Sequence, residues 1–111
     1  MTANDRVAGI AGQVIGWRHR IHADPELGFQ EHRTAAFVAE RLRGFGLEVH
    51  TDVSATAVVG ILRRGTSGRS VALRAELDAL PIQEAAGVPY ASRNPGVMHA
   101  CGHDGHSAIL L

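Results

Sequence analysis

The chain has 111 residues, 45% of them hydrophobic, and its eleven arginines are balanced by eleven acidic residues. This composition predicts one soluble domain, and the zero net charge with scattered arginines argues against a nucleic-acid or anionic membrane partner. A single cysteine cannot build a disulfide framework, and no leader pattern opens the chain. No apolar run approaches the ~20 residues of a membrane span. We therefore expect a cytoplasmic location.

The first predicted element is an amphipathic helix over residues 4–22. Its apolar side chains recur at steps of three and four: Val7, Ile10, Val14, Trp17 and Ile21. Asn4 is the predicted N-cap, and Pro25 ends the helix near residue 22 or 23, before a turn over residues 22–28.

A second helix is predicted over residues 30–44. Its buried side is marked by Phe37 or Val38, followed by Leu42 and Phe45. Two glycines at its end supply the stop signals that terminate helices.

Three strands are predicted after the helices. Residues 47–53 alternate apolar and polar side chains, residues 57–62 are rich in β-branched types, and residues 70–77 give the clearest strand pattern. Glycine and hydroxyl residues over 64–69 predict a hairpin turn between the last two strands.

The third predicted strand has two distinct faces, because successive side chains point to opposite sides. One face is apolar and the other is polar, carrying Ala72, Arg74, Glu76 and Asp78. A solvated sheet surface explains this pattern. Alternatively, Asp78 marks the C-terminal end of a strand, where open α/β sheets place their ligands.

The chain closes with an irregular segment over residues 81–95 and a last helix that carries residues 106–111, with Asp104 as N-cap. The order of helix, helix, strand, strand, strand, helix predicts an α/β domain. Leu111 falls inside an apolar run with no capping signal, so we expect the domain to continue beyond this residue.

A cysteine and three histidines cluster within residues 99–106, and Cys101 and His103 are the candidate metal ligands. Thiolate and imidazole suit borderline ions such as zinc. On an extended loop, a spacing of two aims both side chains to the same side, and flanking glycines let the backbone bend around an ion. Asp104 is a candidate metal ligand, an acceptor that orients a ligand, or a helix cap.

Two other interpretations of this cluster remain open. In the first, Cys101 is a small buried residue among surface histidines. In the second, Cys101 is a nucleophile with His99, His103 or His106 as its base. A metal site needs three or four protein ligands, so two obvious ligands require completion from elsewhere.

Three stretches together resemble the M20 metallopeptidase family, in the branch of hippurate hydrolases, N-acyl-amino-acid amidohydrolases and auxin-conjugate hydrolases. They are residues 20–31 (RIHADPELGFQE), 72–84 (ALRAELDALPIQE) and 98–106 (MHACGHDGH), in the family's order. The resemblance extends from about Val14 to Leu111. It implies a zinc-peptidase-like catalytic domain of which residues 1–111 form the N-terminal portion.

The resemblance also implies an activity and a site. The activity is hydrolysis of the amide bond of N-acyl amino acids by two divalent ions, with zinc, manganese, cobalt and nickel as candidates. Cys101 and His103 match two metal ligands, and Asp78 matches a supporting aspartate. Glu76 replaces the aspartate most often found in this branch, outside the ligand set. Residues 22–26 match a signature with no metal role, and we expect them to fix the turn after the first helix.

In the family, the general-base glutamate, further metal ligands and a dimerisation domain that lets relatives form homo-oligomers all lie downstream of the cysteine motif. We therefore expect the 111 residues alone to be inactive. The alternative hypotheses are a non-catalytic remnant or truncated product, and a small metal-binding module.

Overall fold

The computed structural model describes all 111 residues as three α-helices and one two-stranded antiparallel sheet. The elements in chain order are α1 (Ala3–Ala23), α2 (His32–Gly44), β1 (Glu48–His50), β2 (Val59–Ile61) and α3 (His103–Leu110). Helix α1 packs against α3, and α2 packs against both strands. The predicted helices are all present, whereas the strands number two instead of three. None of the helices has the length and apolar character needed to cross a membrane.

Helix α1 begins with a capping box formed by Thr2 and Asp5. The Asp5 backbone N–H donates to the Thr2 hydroxyl at 3.2 Å, and the Thr2 backbone N–H donates to the Asp5 carboxylate at 2.8 Å. The prediction of Asn4 as N-cap is therefore wrong by two residues. The reciprocal pair satisfies two backbone donors at once, which a single asparagine cap cannot do.

The apolar stripe of α1 is buried only at its C-terminal end. Ile21 is 3% exposed and joins Phe37 and Val38 in the core, whereas Val7 is 63% exposed. Partly buried residues pack around this core: Trp17, Leu42, Val58, Leu77 and Leu111. The prediction for Phe37, Val38 and Leu42 is confirmed. Phe45 is exposed, although its ring lies 5.8 Å from that of Trp17.

Strands β1 and β2 pair with Glu48 opposite Ile61 and His50 opposite Val59. Both are shorter than the sequence predicts. A Cβ atom at Gly60 would lie 3.0 Å from Leu47 and 3.1 Å from Leu42. The missing side chain at this position is what allows β2 to lie so close to α2.

The third predicted strand, residues 70–77, is not a strand in the structure. A strand requires a neighbour that exchanges backbone hydrogen bonds with it, and no segment of the chain pairs with these residues. Val71 and Leu73 are accordingly 89% and 76% exposed. The hairpin predicted over residues 64–69 is also wrong, since β2 pairs with β1.

The turn after α1 is fixed by the buried carboxylate of Glu26. It accepts hydrogen bonds from the backbone N–H groups of Arg33 and Thr34, at 3.0 and 2.7 Å, and from the Thr34 hydroxyl at 2.7 Å. Beside it, Arg33 pairs with Asp24 at 2.7 Å and lowers the pKa of Asp24 to about 2. The signature over residues 22–26 thus fixes the turn after α1, as expected, and Glu26 also holds the start of α2.

Candidate metal centre

A backbone bridge and one side-chain hydrogen bond hold the polar end of residues 72–80 beside the cysteine–histidine run. Leu80 and Met98 form an antiparallel bridge with N–O distances of 2.9 and 3.0 Å. The Ser107 hydroxyl donates to the Glu76 carbonyl at 2.7 Å. These contacts hold the segment that carries Glu76 and Asp78 against the start of α3.

Helix α3 starts at His103, and its N-cap is Gly102. Gly102 has φ of 122°, a backbone conformation that favours glycine, which confirms its predicted role in a tight bend. Asp104 lies inside the first turn, so the prediction of Asp104 as N-cap is wrong. Gly105 is likewise helical and not part of the bend.

Asp78 and His103 are in direct contact. The His103 Nδ1 atom lies 2.9 Å from both the backbone oxygen and a carboxylate oxygen of Asp78. Because a carbonyl oxygen only accepts, Nδ1 must donate, and in the neutral ring Nε2 then carries the free lone pair. A carboxylate behind a histidine is the arrangement that orients metal-ligating imidazoles.

Glu76 and His106 lie next to this pair. His106 Nδ1 is 3.0 Å from a carboxylate oxygen of Glu76, and the His103 and His106 rings are 5.7 Å apart. One donor atom from each of Glu76, His103 and His106 lies within 4.8 Å of the other two. The pKa of Glu76 is below its ordinary value, chiefly because it accepts the hydrogen bond from His106.

Cys101 is exposed and sits in the bend just before α3. It lines a cavity of about 310 Å³ together with Arg18, His22, Tyr90 and His99. The extended loop assumed in the spacing argument is absent, because His103 is already helical. The turn at Gly102, and not strand alternation, sets where the thiol and the imidazole point.

His99 is buried on the wall of the same cavity. It is 4% exposed, and neither ring nitrogen has a hydrogen-bond partner. Burial lowers the pKa of His99, since a charged imidazolium is poorly solvated there. The ring is therefore neutral near pH 7.

Behind the bend, His22 joins α1 to α3 through buried carboxylates. Its Nδ1 is 2.8 Å from Asp104 and its Nε2 is 2.8 Å from Glu84, and the three side chains are at most 5% exposed. Arg18 also donates to Asp104, at 3.2 Å. Asp104 is therefore a buried acceptor for His22 and Arg18, and it has no hydrogen bond to His103.

The donors present fit a borderline divalent ion. His103 offers a free nitrogen oriented by Asp78, and Cys101 offers an exposed thiol two residues earlier. Sequence reasoning identified Asp78, Cys101 and His103, but it did not group Glu76 and His106 with them. The available signals were the shared polar face of Glu76 and Asp78 and the three-residue spacing of the two histidines on a helix.

The sequence is similar to those of known hydrolases. Residues 72–111 match the model of Peptidase family M20/M25/M40. The chain is 49% identical over 105 residues to the hippurate hydrolase of Campylobacter jejuni, covering 95% of this chain and 27% of that protein. It is 55% identical over 98 residues to an N-acyl-L-amino acid amidohydrolase of Geobacillus stearothermophilus, covering 88% and 26%.

A solved structure gives the same result. A dinuclear metal binding peptidase of the M20 family from Bacillus subtilis superimposes with a TM-score of 0.86 at 37% identity, over 91% of this chain and 29% of that chain. This chain thus spans about a quarter of the length of the relatives that it matches. Its helices, its sheet and its cysteine–histidine bend correspond to the N-terminal part of such proteins, and over this part the chain resembles the M20 family of peptidases and amidohydrolases.

Proposed function

We propose that this chain supplies part of the metal centre of an amidohydrolase that cleaves the amide bond of N-acyl amino acids. Cys101 and His103 each donate a ligand to a pair of divalent ions, and Asp78 positions His103. The observation that carries the proposal is the contact of His103 Nδ1 with the Asp78 carboxylate at 2.9 Å. Similarity to the two hydrolases above supports the reaction class.

The chain's own residues prepare the ligands. Asp78 accepts a hydrogen bond from the Nδ1–H group, which fixes the tautomer and the ring angle of His103 and leaves Nε2 as the nitrogen that can bind an ion. Cys101 is exposed at the bend, where loss of its proton turns it into a metal-binding thiolate. When bound, divalent ions polarise an amide carbonyl and lower the pKa of a bound water.

Asp78→Ala is expected to weaken metal binding about 10–100-fold, because His103 loses the group that orients it. Asp78→Asn is expected to fall between the parent and Asp78→Ala, since the amide oxygen still accepts from Nδ1. Titration calorimetry with Zn²⁺ measures both affinities. An unchanged affinity in Asp78→Ala would show that Asp78 does not support a ligand.

The 111 residues alone are expected to hydrolyse nothing, because they provide only part of the ligands and no general base for the reaction. The measurement is release of glycine from hippurate by the purified chain with Zn²⁺, Mn²⁺, Co²⁺ or Ni²⁺. Metal-dependent turnover that disappears in Cys101→Ser would contradict this expectation.

A small metal-binding module is the competing function. It predicts full metal occupancy by the 111 residues in the absence of any other chain. Metal analysis of the purified parent beside Cys101→Ser and His103→Ala separates the two: full occupancy in the parent that is lost in both variants favours the module, and weak or partial occupancy favours a share of a larger metal centre.

A further inference from the structure

We propose that His22 is a positioning residue for the proposed metal ligand His103, and that it acts through Asp104. In the signature over residues 20–31, Glu26 fixes the turn after α1, whereas the side chain of His22 contacts α3 instead. The inference rests on the proposed function for the identity of the ligand, and its test separates the two.

The contact between His22 and Asp104 is direct and buried. Nδ1 of His22 lies 2.8 Å from the Asp104 carboxylate, and both side chains are at most 5% exposed. Nε2 of the same ring lies 2.8 Å from the Glu84 carboxylate, which also accepts a hydrogen bond from the Ser92 backbone N–H. Because both ring nitrogens are held, the imidazole cannot turn without breaking a buried contact. Asp104 is therefore fixed against α1.

Asp104 and His103 are consecutive residues in the first turn of α3, so neither can move about the helix axis without the other. Successive side chains on a helix point about 100° apart. Here Asp104 contacts α1, while His103 contacts Asp78 at 2.9 Å. Gly102 precedes them as the N-cap and offers no side-chain hydrogen bond to the turn. The orientation of His103 thus depends on the anchor at Asp104.

Two other contacts hold α3, and neither replaces His22. Arg18 donates to Asp104 at 3.2 Å, but its side chain is 43% exposed, so water competes for the pair. The Ser107 hydroxyl donates to the Glu76 carbonyl at 2.7 Å, one helical turn further along. Loss of His22 therefore leaves α3 attached but loosens its first turn, which is the turn that carries the ligand.

The first test determines the tautomer of His103 without any metal, by NMR of the ring nitrogens in alkaline buffer. In the parent, the Nδ1–H group donates to Asp78, so this tautomer is expected to predominate. In His22→Ala, we expect the Nε2–H tautomer, which free neutral imidazole side chains favour, to gain population at its expense.

The second test is a titration of Co²⁺ into the 111-residue chain, followed by the visible absorption of the bound ion. His22→Ala is expected to weaken Co²⁺ binding about tenfold, because the group that orients a ligand has this order of effect. In an Asp104→Ala background, His22→Ala is expected to weaken binding no further, since both changes release the same turn.

Glu26→Ala is the matched control, because it removes buried hydrogen bonds at the start of α2 and leaves the contact of α1 with α3 intact. Its Co²⁺ affinity is expected to stay within about twofold of that of the parent. Circular dichroism checks the helix content of each variant. If His22→Ala loses helix, His22→Gln, which keeps one hydrogen-bonding group, replaces it with a smaller expected loss of affinity.

A parent-like tautomer and affinity in His22→Ala would overturn the inference. An equal loss of affinity in Glu26→Ala would overturn it as well, since lower stability alone would then weaken the ion. If His103→Ala weakens Co²⁺ binding but the His22 variants do not, only the inference fails. If His103→Ala also binds Co²⁺ as the parent does, the proposed function fails with it.

Discussion

His22→Ala is expected to lower the free energy of unfolding by about 3–5 kcal/mol, because it removes the shared partner of two buried carboxylates. His22 Nδ1 lies 2.8 Å from the Asp104 carboxylate, and His22 Nε2 lies 2.8 Å from the Glu84 carboxylate. One imidazole thus bridges two buried acidic side chains, which are at most 3% exposed. Without it, both acids stay buried; Asp104 keeps Arg18 and the Gly105 backbone N–H, and Glu84 keeps the Ser92 backbone N–H.

The pKa of Asp104 shows how much this partner matters. Burial alone would raise the pKa of the Asp104 carboxyl, yet its pKa lies below the usual value because hydrogen bonds from His22 and the Gly105 backbone outweigh burial. The Glu84 carboxylate is less well satisfied by hydrogen bonds, since its second oxygen has no partner at all. Loss of His22 therefore leaves both acids in an environment that disfavours their charge.

Urea unfolding of the parent and His22→Ala measures the loss. The control is His50→Ala, which breaks an exposed histidine–glutamate pair of the same length and is expected to cost less than about 1 kcal/mol. His22→Gln keeps one hydrogen-bonding group, so its loss in the free energy of unfolding should fall between those of His22→Ala and His50→Ala. A loss in His22→Ala no larger than that in His50→Ala would mean that this network does not hold α1 to α3.

Glu26→Ala is expected to lower the free energy of unfolding by about 2–4 kcal/mol, because it removes the acceptor of three hydrogen bonds at the start of α2. Helix α2 has no side-chain cap at Glu31, so Glu26 replaces that cap from the preceding turn. The side chain of Glu26 is 6% exposed, and water therefore cannot satisfy the freed Thr34 donors fully.

The same unfolding measurement tests this second prediction. Glu40→Ala is the matched control, since Glu40 is an exposed carboxylate on the same helix whose only partner is the neighbouring Arg41. We expect the free energy of unfolding of Glu40→Ala to stay within about 0.5 kcal/mol of that of the parent. Equal losses in Glu26→Ala and Glu40→Ala would rule out Glu26 as the anchor of α2.

Local patterns predicted the helices because their signals are contained within each helix. The stripe ending at Ile21 and the residues Phe37, Val38 and Leu42 identified the core in the sequence. The start of α1 was misplaced because Thr2 and Asp5 act as a reciprocal pair. The start of α3 was misplaced because Asp104, a good cap by residue type, is drawn inward by His22 and Arg18.

The features that the sequence did not predict depend on contacts between distant segments of the chain. The alternation of residues 70–77 describes two faces but does not supply a neighbouring strand, and pairing is what makes a strand. Similarly, residue types pointed to Asp78, Cys101 and His103, whereas the contacts of Glu76 with His106 and of His22 with Glu84 join residues 30 and 62 positions apart. No periodicity in a single sequence encodes such contacts.

The most direct test of the central claim joins this chain to the rest of a related enzyme. In the chimera, the chain replaces the matching part of the Campylobacter jejuni hippurate hydrolase, to which it is 49% identical. We predict metal-dependent hydrolysis of hippurate that falls more than about 100-fold in Cys101→Ser and in His103→Ala, and that is unaffected by His50→Ala. A folded chimera that hydrolyses hippurate equally well with and without Cys101 and His103 would contradict the account.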